Sequence, residues 1–441
     1  MDPQRGLGGH RIMRVLIVSH GHPSYSIGGA EVASHGLFRA ANQTGEHEAY
    51  YLSRAPSEVR RHAGTPLMSL GHGARETFLH TGAWDEFWLS NGDLAETSLA
   101  LATYLEHVDP DVVHFHHVIG FGVEAIALTR RVLPRARIVV TFHEYLAICA
   151  NHGQMMKTSK KQLCHGASPA SCNACFPNRS PTQFFSREQH IKNHLLLADA
   201  FVAPSRFLAE RFIAWGLPAE RFRVIDNGVT GVPAPPRTLA EGKRRDRFAF
   251  FGQISEFKGL HIVLDAIGRV PDDIWGDATL SVFGGNLELQ PEAFQGRFAR
   301  LLAGAGRRAR FFGSYRQDDL AGLMADIDWV IMPSIWWENS PVVIQEAFLH
   351  RRPLMVSGIG GMAEKVRHEV DGLHFRVGSP ESLADAMTRA LTEAALWPRL
   401  SQAAPEPPST TAVAGEHLAL YREIGAASQP EETTLLLQHA A

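Results

Sequence analysis

The sequence predicts two doubly wound α/β domains in tandem, with parallel sheets facing a central cleft. Three observations carry this reading. Short apolar runs, of the kind found in strands buried on both faces, alternate with helical stretches. The alternation is interrupted at TGVPAPPRTLAEGKRRDR (230–247), which is proline-rich and then basic and reads as a linker. It then restarts with the same pattern, and 441 residues is a length that accommodates two or three domains.

In the first half, RVLIVSH (14–20) reads as a buried strand, followed by a helix from about Ala30 to Asn42. VVHFHH (112–117) and RIVVTFHE (137–144) are strands on either side of a helix near 122–132. AFVAPS (200–205) leads into a helix at 206–215, and RFRVIDNGV (221–229) closes the half. In the second half RFAFFG (247–252), TLSVFGG (279–285), ARFFG (309–313), DWVIMPS (328–334) and RPLMVSG (352–358) are the strands. Helices are expected from about Gly259 to Arg269, from near Pro341, and over 381–394; TAVAGEHLALYREI (411–424) is a lone amphipathic helix. The expected partition is a disordered extension at 1–12, a first domain at 13–230 with a cysteine-rich insert at 149–181, a second domain at 231–405, and a crossover helix and tail at 406–441.

Hydrophobic content of 45% and charged content of 20% fit a protein with substantial cores. A net charge of −3 argues against nucleic acid as the main partner. Two basic clusters, Lys157/Lys160/Lys161 and Lys243/Arg244/Arg245/Arg247, read as solvated loops, with anionic lipid headgroups as the other option. No apolar run approaches the roughly 18 residues that span a bilayer, and the N-terminus has no secretory pattern. The expectation is a cytoplasmic protein, with peripheral contact at the inner face of the membrane as its one membrane option.

Ligands of doubly wound sheets bind at the carboxyl ends of the strands, so residues there are the site candidates. In WWENSPVVIQEAF (336–348), Glu338 and Glu346 stand in an apolar stretch, where an acid needs a partner. Ser340-Pro341 reads as a helix start, with serine capping and proline at the first helical position. Free backbone N–H groups there suit an anion, and carboxylates suit sugar hydroxyls. Gly28-Gly29 opens the first helix and lets the backbone approach a ligand. His143 ends a strand at the same edge. His114, His116 and His117 cluster at another, but alternation sends neighbours to opposite faces, so His116 is the cleft candidate rather than part of a metal site. Asp326-Ile327-Asp328 reads as boundary acids between a helix and a strand. Cys149, Cys164, Cys172 and Cys175 all lie in one polar stretch without periodicity, the last two as C-x2-C. Structural zinc suits four thiolates; an iron–sulfur cluster, free cysteines and disulfides are the alternatives, and His152 and His165 are reserve ligands.

ENSPVVIQE, with FFGQISEFKGL (250–260), GGMAEKVRHEVDGLHF (360–375), SIGGAEVASHGL (26–37), VVTFHEY (139–145) and APSRFLAERF (203–212), resembles the retaining glycosyltransferases of the GT-B fold, especially family 4 (group 1). The ordered set spans about 13–425. The resemblance implies two Rossmann-like domains and a nucleotide diphosphate sugar (UDP- or GDP-sugar) as donor. It implies that Glu346 binds the ribose, that Glu338 and His143 face the donor sugar, and that Lys258 neutralises the diphosphate. The backbone at Asn339, Ser340, Pro341 and Val342 would contact sugar and phosphate, with Gly252 and the Gly28-Gly29 loop approaching closely. Gln253 stands where the family often has arginine, which makes Arg206 a candidate substitute cation. No catalytic metal is implied. The acceptor would be a glycan, a lipid-linked saccharide or a small molecule, with surface polysaccharide synthesis as the setting. An epimerase or phosphorylase on the same fold, or a non-catalytic binding protein of glycan assembly, are the alternatives.

Overall fold

The computed structural model describes residues 12–26, 28–43, 45–70, 75–159 and 162–426. The expected N-terminal extension, apart from Ile12, and Lys160 and Lys161 of one basic cluster lie outside the described residues.

The first sheet is built from β1 (Met13–Ser19), β2 (His47–Arg54), β3 (Leu67–Ser69) and β4 (Glu76–Leu79). After a small hairpin of β5 (Trp84–Asp85) and β6 (Ser90–Asn91), it continues with β7 (Val112–Phe115), β8 (Arg137–Thr141), β9 (Ala200–Ala203) and β10 (Phe222–Val224). Its order is β10-β9-β8-β7-β1-β2-β4-β3, parallel except where β3 meets β4. The second sheet contains β11 (Arg247–Phe251), β12 (Thr279–Phe283), β13 (Ala309–Gly313), β14 (Trp329–Met332), β15 (Leu354–Ser357) and β16 (Gly372–Phe375), in the order β13-β12-β11-β14-β15-β16. Its paired strands are all parallel.

The order explains where ligands go. In the first sheet the chain winds outward from β1 to β2 and then returns to β7 on the other side. In the second it winds from β11 to β13 and returns to β14. These reversals, between β1 and β7 and between β11 and β14, open a crevice at the carboxyl ends of the strands. The centres of β1, β11 and β14 are apolar and buried; Leu16, Ile17, Val18, Phe248, Ala249, Val330 and Ile331 have no exposed surface.

The helix Thr410–Ala426 returns from the second half to the first sheet, where Val413, Ala414, Leu418 and Tyr421 join a core with Leu37, Phe38 and Ala41. Its approach is pinned by backbone pairing, Val229 N–H to Pro408 O at 3.0 Å and Thr410 N–H to Val229 O at 3.2 Å.

Three expectations need correction. The helix after the E-x7-E loop is Val342–Leu349, with Pro341 at the cap position and no side-chain cap; Ser340 instead donates its hydroxyl to Asp226 Oδ1 at 2.7 Å. The cysteine-rich insert is partly regular, because Ser168 caps a helix at Pro169–Cys175. The 243–247 basic cluster is more than a solvated loop. Arg244 donates to the carbonyls of Ile274 and Trp275, Arg245 pairs with Asp328, and Arg247 pairs with Asp326. Asp328 is fully buried between Arg237 and Arg245, a structural role that fits a boundary acid.

Candidate active site

Between the two sheets lies a cleft of about 400 Å³, lined from both halves. The second-half wall begins at Gly252, which follows β11 with φ of +145°, a conformation open to glycine and costly to other residues. Lys258 comes next, and its ammonium lies 2.7 Å from Glu338 Oε1. The same oxygen accepts from Ser334 Oγ at 2.7 Å and from Trp336 Nε1 at 2.8 Å. Burial pushes the Glu338 carboxyl up, but the charge and hydrogen bond of Lys258, with Ser334 and Trp336, outweigh it and hold the group below the usual carboxylate range. Glu338 is therefore a buried, charged anion with three donors on one oxygen.

The chain then passes to the helix N-terminus. Asn339 donates its side-chain amide to the carbonyl of His143, and its Oδ1 accepts from Ser340 N–H. Pro341 has no N–H. The free donors at this end are thus narrowed to Val342 and Val343, both on the cleft wall at the start of Val342–Leu349. Asp226 fixes the arrangement from the first half. It accepts from Ser340, from Gln345 Nε2 at 2.6 Å and from Lys365 Nζ at 2.6 Å, while Asn227 donates to Ser340 O at 3.0 Å.

The first-half wall is different in kind. His20 follows β1, His117 follows β7 and His143 follows β8, and all three line the cleft with Glu31 and Asn227. Glu31 accepts from Ser26 Oγ at 2.8 Å and lies 3.2 Å from His20 Nε2. A Cβ on Gly28 would stand 2.5 Å from Glu31 Oε2, so the glycine loop is wrapped around a carboxylate. Gly28 itself is not among the described residues that line the cleft. Gly29 faces Val342 across the cleft.

Of the residues expected in the site, Glu338, His143, Lys258, Gly29, Gly252, Asn339, Ser340, Pro341 and Val342 line the cleft together. Glu346 does not. It is buried one turn further along the helix, accepting from Gln317 Nε2 at 2.7 Å, and burial raises its carboxyl above the usual range with only that one hydrogen bond to offset it. Arg206 is exposed at the start of Arg206–Trp215 and is not on the cleft wall, so among the described residues Lys258 is the one Lys or Arg lining it. His116 lies beneath His143 rather than in the cleft. Asp226, Asn227, Glu31 and His20 were not anticipated; only the DNG turn at 226–228 and the Glu31 position after the glycines offered a signal.

The four cysteines line a single small cavity of about 20 Å³. Burial pushes the Cys149 thiol up to about 11 and raises Cys172 as well. Among the described residues, the one group of three or more metal-ligating side chains with atoms within 4.8 Å of one another is His22, His35 and Glu76. That triad is closed by hydrogen bonds. His22 Nδ1 receives Ser24 N–H, so its Nε2 carries hydrogen and donates to Glu76.

Two family models match the chain. "Glycosyltransferase Family 4" covers residues 27–230, and "Glycosyl transferases group 1" covers 245–393. The chain belongs to the group 1 and family 4 glycosyltransferases. It resembles an uncharacterized glycosyltransferase of Methanocaldococcus jannaschii, 27% identical over 147 residues, which are 33% of this chain and 35% of that protein. The match thus spans about a third of that relative's length. Glycogen synthase of Mycobacterium tuberculosis is 24% identical over 454 residues, covering 97% of this chain and 99% of the synthase. Among solved structures, HepE of Anabaena in complex with UDP and glucose superimposes with a TM-score of 0.62 at 18% identity, covering 93% of this chain and all of that one. The likeness is one of fold, and the fold is GT-B. Among the described residues no helix is long and apolar enough to cross a membrane.

Proposed function

We propose that this protein is a retaining glycosyltransferase that moves a sugar from a nucleotide diphosphate to a hydroxyl of a glycan, a lipid-linked saccharide or a small molecule. The observation that carries this reading is the Lys258–Glu338 pair set beside the free N–H groups of Val342 and Val343. The diphosphate draws the Lys258 ammonium and accepts from the helix N-terminus. Glu338 keeps its bonds from Ser334 and Trp336 and faces the sugar. The bond from the anomeric carbon to the phosphate oxygen breaks, and the electron pair leaves with the phosphate. The acceptor oxygen bonds to the same face, and its proton passes to the departing phosphate, which gives retention. Glu346 receives the ribose hydroxyls once Gln317 turns aside. The complex of HepE with UDP and glucose makes a uridine nucleotide the first donor to try. We place the reaction in the cytoplasm, at the inner membrane face, in surface polysaccharide assembly.

A donor panel scored by thermal stabilisation, followed by transfer assays, tests this. The expected result is one nucleotide diphosphate sugar that raises the melting temperature and releases nucleotide diphosphate only with an acceptor present. Stabilisation without transfer to any acceptor favours a binding protein. Sugar conversion without an acceptor favours an epimerase.

The insert is proposed to hold a structural metal, zinc or an iron–sulfur cluster, on Cys149, Cys164, Cys172 and Cys175. Support comes from the shared cavity and from Arg187. This buried guanidinium donates only to the carbonyls of Phe87, Leu146 and Ala147, and lines a second small cavity with Cys172. A thiolate cluster would give it a counter-charge. The sulfurs must rotate inward to ligate, since no three of them lie within 4.8 Å of one another. Elemental analysis should return about one metal centre per chain; folded, metal-free protein removes this proposal.

A further inference from the structure

Behind the cleft wall, two histidines at strand ends meet nitrogen to nitrogen. His116 Nδ1 lies 3.0 Å from His143 Nε2, with the rings nearly parallel. The neighbouring His114 is saturated, with Nε2 2.7 Å from Thr141 Oγ1 and Nδ1 2.6 Å from the Tyr421 hydroxyl. His116 is not, because its Nε2 is buried and has no partner among the described residues. The His417 ring lies near it, at 6.2 Å between centroids, and its own Nδ1 is also without a partner among the described residues.

Two facing neutral imidazole nitrogens need one hydrogen between them. In one arrangement His143 donates from Nε2. His116 must then carry its hydrogen on the orphaned Nε2, leaving a buried N–H with no acceptor. In the other, His116 donates from Nδ1, and its orphaned Nε2 is only a lone pair. Buried N–H groups without a partner are the rarer and costlier fault. Burial also keeps both rings neutral, His143 being pushed down to about 3 and His116 well below the ordinary value.

We propose that His116 is a positioning residue that fixes His143 in its Nδ1–H tautomer, so that the ring offers the cleft an N–H donor and not a lone pair. A free histidine side chain prefers the opposite tautomer, so the assignment depends on His116. The ligand class follows: a hydroxyl or phosphate oxygen of the glycosyl donor, which accepts from His143 Nδ1. It also follows that His143 is not the base that takes the acceptor proton, since its remaining lone pair is engaged by His116. The donor contact rests on the glycosyltransferase reading; the nitrogen assignment does not.

Long-range proton–nitrogen spectra of the full chain labelled with 15N-histidine test it, with His143 assigned by its loss in His143→Gln. The expected spectrum shows His143 with a protonated Nδ1 and an imine-type Nε2. His116→Leu should move His143 towards the Nε2–H form and weaken donor binding about tenfold, the scale of one lost hydrogen bond. His116→Asn, whose amide can donate, should restore both. An Nε2–H tautomer in the unsubstituted chain overturns the assignment, and that spectrum suffices even if a variant does not fold. An unmoved tautomer in His116→Leu overturns the positioning role. A moved tautomer with unchanged donor affinity overturns the donor contact alone.

Discussion

The two walls of the cleft solve the problem of burying polar groups in opposite ways. The second-half wall keeps charges and pairs them, with Glu338 taking three donors on one oxygen and Lys258 as its counter-ion. The first-half wall and the layer behind it keep imidazoles and strip five of them of charge. Burial holds His114, His116 and His117 well below their ordinary value, His143 at about 3 and His417 at about 4. An ion pair tolerates a low dielectric when its remaining bonds are made, and a neutral ring tolerates it without a counter-ion. One wall thus offers a fixed ion pair to a ligand, and the other offers neutral rings beside the Glu31 carboxylate. The difference gives each wall its own way to fail.

Acid should break the histidine wall first, and this is the largest effect expected. Below pH 6.5 the unfolded chain binds protons at these five positions that the folded chain refuses. Stability is therefore lost as pH falls from about 6.5 towards the folded values, by about 1 kcal/mol per pH unit for each histidine that stays neutral. Urea denaturation at pH 7.5 and 5.5 checks this, and His417→Leu should make the slope shallower. A stability that does not change across that range would mean the rings are charged or solvated.

Removing the counter-ion should break the other wall. Lys258→Ala leaves Glu338 buried with two neutral donors. Transfer is expected to slow by about 10²–10³-fold, the scale for losing one preorganised charge donor. Folding stability should fall by about 1–3 kcal/mol. Adding Glu338→Gln should recover the stability and not the rate, a separation that a double-mutant cycle reads directly.

Glu346 sharpens the contrast within a single helix, since it is an acid buried without a cation. Glu346→Ala should weaken donor binding by about 1–3 kcal/mol, and unchanged affinity in calorimetry would refute the ribose role. Because its folded pKa is raised, the unfolded carboxyl ionises first as pH climbs past about 4.5. The group therefore costs stability that grows until pH passes its folded value. Glu346→Gln should raise the melting temperature of ligand-free protein at neutral pH while lowering donor affinity, the pattern of a residue kept for function.

The two walls were also unequally legible. RFAFF, WVIM and LMVS are unbroken apolar runs, and each became a buried strand of the second sheet. Gly252, Lys258 and Glu338 follow β11 and β14 within seven residues, so local order carried the charged wall. The histidine wall depends on β1, β7 and β8 lying side by side, which is a property of topology and not of spacing. The same holds for Asp226, which clamps a helix more than a hundred residues away. Strand His47–Arg54 was missed because its apolar run, Ala49–Leu52, is short and flanked on both sides by polar residues. Helix Pro181–Leu195 was missed despite a capping box of Ser180 with Gln183, since its mean character is polar. Ser340 misled in the opposite direction. It has the residue type of a cap, yet its hydroxyl was claimed by Asp226 from the other half of the molecule.

The smallest expected effect lies where the charged wall is short of a cation. Gln253 is exposed beside Gly252, and the wall carries Lys258 alone, already shared with Glu338. Gln253→Arg adds a charge in water, where long side chains give up entropy to hold one geometry and salt screens the attraction. The gain in nucleotide diphosphate affinity should be about 0.2–1 kcal/mol at low salt and should fade as ionic strength rises. A salt-independent gain would mean the new guanidinium is desolvated against the phosphate, placing the diphosphate closer to Gly252 than to the helix N-terminus. No gain at any salt concentration would place it on the far side of Lys258, and Val342 and Val343 would then carry the phosphate with the lysine alone.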